Sequence, residues 1–289
     1  MFPGSNALYA LLAAGFWGCG DFSGGMGVKR AGGSVGAAFR VILISHSTSF
    51  CVLVAIALLR SDPLPHGAPL AWAVVCGVAG ALSLTAFYIA LSRGAMGAAA
   101  AVSGLLAAAI PSCVAMVWDG PPGWRHGAGF LVAGIAIWLI AGGTHKPENE
   151  SFGTIWLAAL AGAGFGVYFM ALKFAAPGGL VWPLAAARAA SLTTTALMLG
   201  VLSATGANAV RMTRAAVTWA ASTALFDTTG NFFFMQATRA GRLDVASVLA
   251  SLYPASTIVL AAGMLKERPT RQQGFGMAVA AVAVVLIAL

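Results

Sequence analysis

The chain has 289 residues, of which 60% are hydrophobic and 8% are charged. Because a soluble domain carries about 25% charged residues, this composition excludes a soluble globular protein and predicts a membrane protein. The formal net charge of +8 is scattered over short loops, where membrane topology and anionic lipid headgroups account for it. We therefore expect the lipid bilayer as the protein's environment and no nucleic acid as a partner.

Apolar segments of about 20 residues, the length that crosses a hydrocarbon core, follow one another along the chain. Cutting at charged, proline-rich and glycine-rich breaks predicts ten membrane-spanning helices, at residues 6–28, 35–59, 69–91, 97–118, 126–143, 152–172, 180–202, 215–236, 243–265 and 274–289. The connections between them are too short for a soluble domain. No basic region or small-residue cleavage site precedes the first apolar run, so we expect no cleaved signal peptide.

Two parts of the sequence resemble each other. Residues 98–111 and 241–254 are both small-residue, apolar runs that end in a proline, and the two prolines lie 143 residues apart. Nearly the same spacing relates further pairs of glycines and cations, namely Gly18 and Gly162, Gly20 and Gly164, Lys29 and Lys173, Arg40 and Arg188, and Gly129 and Gly276. The pattern predicts a duplication, with a first five-helix repeat at 1–144, a linker at 145–151 and a second five-helix repeat at 152–289.

An odd number of helices in each repeat has a geometric consequence. After five spans the chain re-enters the membrane from the opposite side, so the second repeat is inverted about an axis in the membrane plane. The predicted fold class is an all-α membrane protein with ten transmembrane helices arranged as two inverted five-helix repeats. Loop Lys and Arg residues number five on the side that holds both termini and nine on the other, which by the positive-inside rule places the termini outside.

Two prolines lie near the middle of predicted helices, Pro111 in the fourth and Pro254 in the ninth. Each removes a backbone hydrogen bond and clashes with the preceding turn, so a kink is expected at both. In lipid, freed carbonyls are tolerated where protein or a water-filled cavity satisfies them. The matched pair therefore favours the gating hinges and binding site of a transporter, with a merely structural bend as the alternative.

Two carboxylates lie inside predicted spans, Asp21 in the first and Asp227 in the eighth. Each costs about 2.5–3.5 kcal/mol on insertion scales, so both should face the bundle interior or a cavity. Substrate contact or proton relay is the functional hypothesis. The alternatives are an internal ion pair with Arg40 or Arg188, or a position close enough to an interface to be solvated.

Other polar and aromatic residues extend this candidate site. Asp227, Asn231 and Phe234 are spaced at four and three residues, which places them on one helix face. Tyr88 of the third helix lies near the repeat equivalent of this cluster. Arg188 either binds an anion or extends to the interface. Aromatic rings with a few polar groups suit a small organic solute.

Histidine and cysteine give no sign of a metal or redox site. His46 stands alone among serines and threonines, which is typical of a hydrogen-bonded interior histidine. The four cysteines lie in apolar spans without C-x-x-C spacing and are expected to behave as small hydrophobes. We predict no cofactor and no metal.

A short motif points to a different class of protein. Residues 18–21 read Gly-Cys-Gly-Asp, which matches the G-x-G-D signature of intramembrane aspartyl proteases, and Phe226-Asp227 loosely resembles their aromatic-Asp element. Two carboxylates that share a proton could activate water. Those proteases carry the aromatic-Asp element first, whereas here it comes second. A protease using Asp21 and Asp227 is therefore the alternative hypothesis, and the leading one is not an enzyme.

A set of weak motifs in a fixed order resembles the drug/metabolite transporter superfamily, and within it the EamA-type ten-helix transporters. The motifs are Trp17-Gly18, Arg40, Ala90-Leu91, Pro111, Leu252-Tyr253-Pro254, Glu267-Arg268 and Gly274. The first copy departs from the second by having Asp119-Gly120 in place of Glu267-Arg268.

The resemblance implies a secondary transporter, an exporter of amino acids or related small metabolites across the bacterial inner membrane by alternating access. It implies that helices one, three, four, six, eight and nine line a central cavity while five and ten lie at the periphery. It also implies cytoplasmic termini, against the loop charges.

The candidate site residues are chosen from their chemistry and position in the sequence together with the family resemblance. The substrate-binding candidates are Trp17, Asp21, Tyr88, Arg188, Asp227, Asn231 and Tyr253, with Pro111 and Pro254 as hinges. The expected partners are a small-molecule solute and the lipid bilayer. Proton coupling through Asp21 or Asp227 is a hypothesis, and the oligomeric state stays open between monomer and homodimer.

Overall fold

A computed structural model of the chain describes residues 5–92, 96–142, 152–204, 210–266 and 268–288. Apart from one 3-10 turn at Ala176–Gly178, the regular elements in these ranges are α-helices: α1 (Ser5–Arg30), α2 (Val35–Leu59), α3 (Ala68–Ser92), α4 (Met96–Trp118), α5 (Trp124–Gly142), α6 (Phe152–Ala175), α7 (Val181–Ala204), α8 (Arg214–Ala240), α9 (Leu243–Ala250), α10 (Tyr253–Met264) and α11 (Arg271–Ala288). The all-α prediction is confirmed.

Within the described ranges, six helical segments are long and apolar enough to cross a membrane: α2, most of α3, most of α6, α7, α9 with α10, and α11. The apolar parts of α4 and α5 are shorter. Helices α1 and α8 have 26 and 27 residues, but they carry Asp21 and the run Asp227–Asn231 and are less apolar. The protein is thus a multi-pass membrane protein, and the count of ten spans stays a prediction.

The largest helix contacts join the first half of the chain to the second. Helix α1 packs along α8, α3 along α6, α5 along α11 and α2 along α7. Contacts of α4 with α6 are matched by contacts of α1 with α9 and α10, and those of α3 with α7 by those of α2 with α8. The two halves therefore interlock instead of forming separate bundles.

Glycines allow the helices of the two halves to approach closely. A Cβ atom on Gly129 would lie 2.5 Å from Cγ1 of Ile287, and one on Gly276 would lie 2.9 Å from Cγ1 of Ile140. In each contact a residue near the start of one helix meets a residue near the end of the other. Helices α5 and α11 consequently run antiparallel.

The two prolines have different effects on their helices. Pro254 is the second residue of α10, and the preceding helix ends at Ala250, whose carbonyl would otherwise accept a bond from residue 254. The break closes with a tight turn in which the backbone N–H of Leu252 donates to the carbonyl of Leu249 at 3.2 Å. Pro111 is buried inside an unbroken α4. The second half thus has a helix interrupted at its proline, and the first half has a continuous one; a kink at Pro111 stays a prediction.

Candidate functional site

A cavity of about 420 Å³ lies between the two halves. This volume falls within the range of about 300–1,000 Å³ that small-molecule sites occupy. Helices α1, α3, α6, α7, α8 and α10 supply most of its described wall, while α2, α4, α5 and α11 each contribute one residue. The single residues from α5 and α11 fit the expectation that they are peripheral. Among the described residues, α7 lines the cavity more, and α4 less, than the resemblance implied.

Most of the predicted site residues meet at this cavity. Its wall includes Trp17, Asp21, Arg188, Asp227, Asn231, Tyr253 and Pro254. Pro111 lies buried within α4 and does not line it. The side chain of Tyr88 lies outside the described part of the structure.

Arg188 lies at the centre of a buried polar network. Only 5% of the residue is exposed, so it does not reach the membrane interface. Its guanidinium forms an ion pair with the carboxylate of Asp227 and donates to Nε2 of His46 at 3.1 Å and to the hydroxyl of Thr228 at 3.4 Å. Of the alternatives open for Asp227, the structure shows the internal ion pair with Arg188.

The network also defines the hydrogen positions on His46. An arginine can only donate, so Nε2 of His46 accepts and its other ring nitrogen carries the hydrogen. That Nδ1–H group donates to the hydroxyl of Ser191, with 2.8 Å between the heavy atoms. His46 is therefore a neutral, fully bonded interior histidine, as its sequence context indicates, and it links α2 to α7.

A second network joins α1, α6 and α8 through the side-chain oxygen of Asn231. This oxygen accepts from the indole N–H of Trp17 and from the hydroxyl of Tyr168, both at 2.8 Å. The Trp17 ring stacks on Phe169 with 5.1 Å between ring centroids and 4° between planes. A Cβ atom on Gly230 would lie 2.5 Å from Cδ1 of Trp17, so only glycine leaves room for the indole.

Asp21 differs from the other charged residues of the cavity. Its side chain is exposed to the cavity, and within the described ranges it has neither an ion-pair nor a hydrogen-bond partner. It lies in electrostatic range of Asp227, and the preceding Gly20 packs against the Asp227 backbone, where a Cβ atom would be 3.4 Å from the nitrogen. Two carboxylates and one guanidinium leave the cavity with one carboxylate that no described cation balances.

The same geometry bears on the protease alternative. A catalytic aspartate dyad needs two carboxylates that share a proton. Here the Asp227 carboxylate forms an ion pair with the Arg188 guanidinium. Asp227 is therefore paired with a cation, whereas Asp21 has no partner among the described residues, and the two do not form a matched pair.

Sequence reasoning missed several residues of the cavity wall. These are Cys76, Tyr168, Phe169 and Ser191, together with His46 as a cavity residue. Tyr168 follows Gly164 by four residues and so shares its helix face, and Gly164 is the repeat equivalent of Gly20. This position, on the helix face that corresponds to the Gly20 face of α1, is the one sequence signal that could have identified Tyr168.

A polar cluster closes one end of the helix bundle, where α4 and α6 end and α9 begins. We call Arg242, Asp244, Asp119, Gly120 and Lys173 the Arg242 cluster. The Arg242 guanidinium binds the fully buried carboxylate of Asp244 at 2.6 Å and donates to the carbonyls of Asp119 at 3.0 Å and Gly120 at 2.8 Å. Lys173 forms an ion pair with the Asp119 carboxylate at 3.6 Å.

The charges of the Arg242 cluster suit the helix ends that they occupy. Arg242 lies at carbonyls that follow the end of α4, and Asp244 lies in the first turn of α9, positions that the helix dipoles favour for a cation and an anion. Hydrogen bonds to Asp244 raise the pKa of Arg242, so the arginine stays charged. The cluster ties the end of α4, in the first half, and the end of α6, in the second half, to the start of α9.

Comparison with known proteins agrees with this description. One solved crystal structure superposes on the chain with a TM-score of 0.77 at 17% sequence identity, covering 99% of this chain and 96% of the other; at that identity it shows the fold alone. No curated protein matches the chain. Residues 152–289 match the EamA-like transporter family. The second half of the chain is therefore similar to EamA-like transporters, in agreement with the resemblance found in the sequence.

Proposed function

We propose that the protein is a secondary transporter that moves a small organic solute by alternating access. The observation that carries this is the cavity of about 420 Å³ at the junction of the two halves, with charged residues at mid-helix positions. Charged groups inside membrane segments mark substrate or ion pathways. Following the family, the solute is a small metabolite and the direction is export across the bacterial inner membrane, with both termini in the cytoplasm.

The mechanism proposed is rocking of two inverted repeats about the cavity. Three observations support it. The helix contacts are matched when the two halves are exchanged, the equivalent helices α5 and α11 run antiparallel, and the family match begins at residue 152, where the sequence places the start of the second repeat. Inverted repeats around a midplane site are the usual architecture of alternating access.

Solute counterflow in proteoliposomes tests the transport function. Vesicles loaded with one unlabelled solute from a panel of amino acids and organic amines should accumulate the labelled solute transiently, and flux should saturate. Asn231→Ala should lower that flux about tenfold or more, because it removes the acceptor shared by Trp17 and Tyr168. Thr193→Ala, on the exposed face of α7, is the control. Flux without saturation, or no flux across the panel, contradicts the proposal.

Proton coupling is a separate part of the proposal. Asp21 or Asp227 exchanges a proton as access alternates. Flux measured under imposed pH gradients should respond to the gradient in the wild type and lose that response in Asp21→Asn or Asp227→Asn. Unaltered, gradient-independent flux in both variants rejects proton coupling while leaving the transport function intact.

A further inference from the structure

The charges that face the cavity define the class of solute, given the proposed transport function. We propose that the cavity binds a small organic cation, an amine or quaternary ammonium with an apolar or aromatic body, through the carboxylate of Asp21. The unbalanced carboxylate selects the charge and the surrounding aromatic wall selects the body.

The first step is the state of the cation already present. The Arg188 guanidinium is neutralised by Asp227, and its terminal nitrogens also donate to His46 and Thr228. Of its donors, Nε alone is buried without a partner in the described structure. A ligand carboxylate would have to compete with Asp227 for this guanidinium and would meet the repulsion of both aspartates. The site is therefore unfavourable for anions.

The second step is the cost of leaving Asp21 unpaired. An ionised carboxylate held in a membrane segment costs several kcal/mol unless a partner or water compensates it. Asp227 has such a partner in the protein and Asp21 has none among the described residues. A cationic ligand would supply that partner and balance the charges of the cavity.

The third step is the shape of the surrounding wall. Trp17 precedes Asp21 by one helical turn and so lies on the same face of α1. Phe165 and Tyr168 of α6 and Tyr253 of α10 line the same cavity. Aromatic rings attract cations through their faces and bury apolar groups. A cation with a ring or a short alkyl body matches both features.

Four probes of similar size and different charge test the proposal by calorimetric titration of the purified protein in detergent. They are benzyltrimethylammonium, zwitterionic phenylalanine, phenylacetate and benzyl alcohol. We expect the cation to bind about tenfold or more tightly than the other three. Equal or tighter binding of phenylalanine, phenylacetate or benzyl alcohol, or no binding of the cation, overturns the proposal.

Variants assign the effect to Asp21. Asp21→Asn should weaken cation binding about tenfold or more and Asp21→Glu should largely keep it, whereas Asp62→Asn, in the loop after α2, should leave it unchanged. Cation binding that survives in Asp21→Asn overturns the role of this carboxylate. If Asp21→Asn does not fold, the four-probe comparison on the wild type still decides the charge preference.

The binding assay does not depend on transport. Cation binding without counterflow of any solute would reject the proposed function and keep this inference. Saturable counterflow of phenylalanine without cation binding would support the proposed transport function and reject the inference that the cavity binds a cation.

Discussion

Arg188 connects three helices at the cavity through one guanidinium. It lies on α7, and its partners Asp227 and His46 lie on α8 and α2. Breaking a buried ion pair by removing one partner typically costs about 3–5 kcal/mol, so this network holds the wall in one arrangement. Asp21, which has no such partner in the described structure, is left to interact with what enters the cavity.

Gly230 determines whether Trp17 can occupy its position in that wall. Gly230→Ala places a methyl group 2.5 Å from Cδ1 and 2.7 Å from Nε1 of the indole, so Trp17 must move and its bond to Asn231 must lengthen. We expect a loss of stability of about 1–3 kcal/mol, measured as a lower thermal unfolding temperature in detergent.

Gly200→Ala is the matched control for this substitution. Gly200 lies in α7 with no atom within 4 Å of an added Cβ, and alanine favours the helix by about 1 kcal/mol over glycine. Its unfolding temperature should stay the same or rise. An equal loss in both variants would show that the close contact with Trp17 is not what makes Gly230 necessary.

At the residue scale, sequence reasoning found the charges better than their partners. Asp21, Asp227 and Arg188 are conspicuous because charges are costly in apolar helices. The pairing of Arg188 with Asp227 depends on how α7 packs against α8, and the sequence left that pairing open. Tyr168 was missed because a tyrosine in an apolar helix is unremarkable until its hydroxyl is seen beside Asn231.

At the scale of elements, helix boundaries followed the pattern of apolar segments closely, but only one of the two prolines interrupts its helix. Both Pro111 and Pro254 lie within runs of small apolar residues, so the sequence predicts the same kink twice. The break at Pro254 comes with a tightened last turn in α9, and α4 continues past Pro111. Which of two similar segments breaks depends on the packing of neighbouring helices, and this is not local information.

The short helix α9 is held at its start by the Arg242 cluster, and we expect the cluster to close that end of the bundle. Arg242→Gln removes charge-assisted bonds to Asp244 and to the carbonyls of Asp119 and Gly120, each worth about 1.5–3 kcal/mol. We expect this end to open more often, so that alkylation of the cavity residue Cys76 by a water-soluble thiol reagent becomes about fivefold faster or more. The rate is measured with the other three cysteines replaced by alanine.

Arg60→Gln is the control for Arg242→Gln. Arg60 also pairs with an aspartate two residues later, Asp62, but its side chain is 66% exposed, and exposed pairs contribute about 0–1 kcal/mol. The alkylation rate of Cys76 should not change. Thermal unfolding measured alongside separates opening of the cavity from loss of the fold, and an unchanged rate in a folded Arg242→Gln protein would exclude the cluster as a closing element.

For the whole molecule, the proposed inversion of the repeats fixes which loops share a side of the membrane. His66 follows α2 and Arg211 follows α7, the equivalent helix of the second repeat, so inversion places them on opposite sides. Lys29, in the last turn of α1, should share the side of Arg211. Arg239, in the last turn of α8, should share the side of His66.

Single cysteines at these four exposed positions, introduced into a cysteine-free protein, measure this arrangement. In sealed vesicles of one orientation, a membrane-impermeant thiol reagent should label either His66→Cys and Arg239→Cys or Lys29→Cys and Arg211→Cys, and permeabilisation should expose the other pair. Because five spans separate equivalent loops, a helix that fails to cross would bring His66 and Arg211 to the same side. Labelling of His66→Cys and Arg211→Cys from the same side would contradict the inverted arrangement. It would also contradict the symmetry on which rocking about the cavity depends.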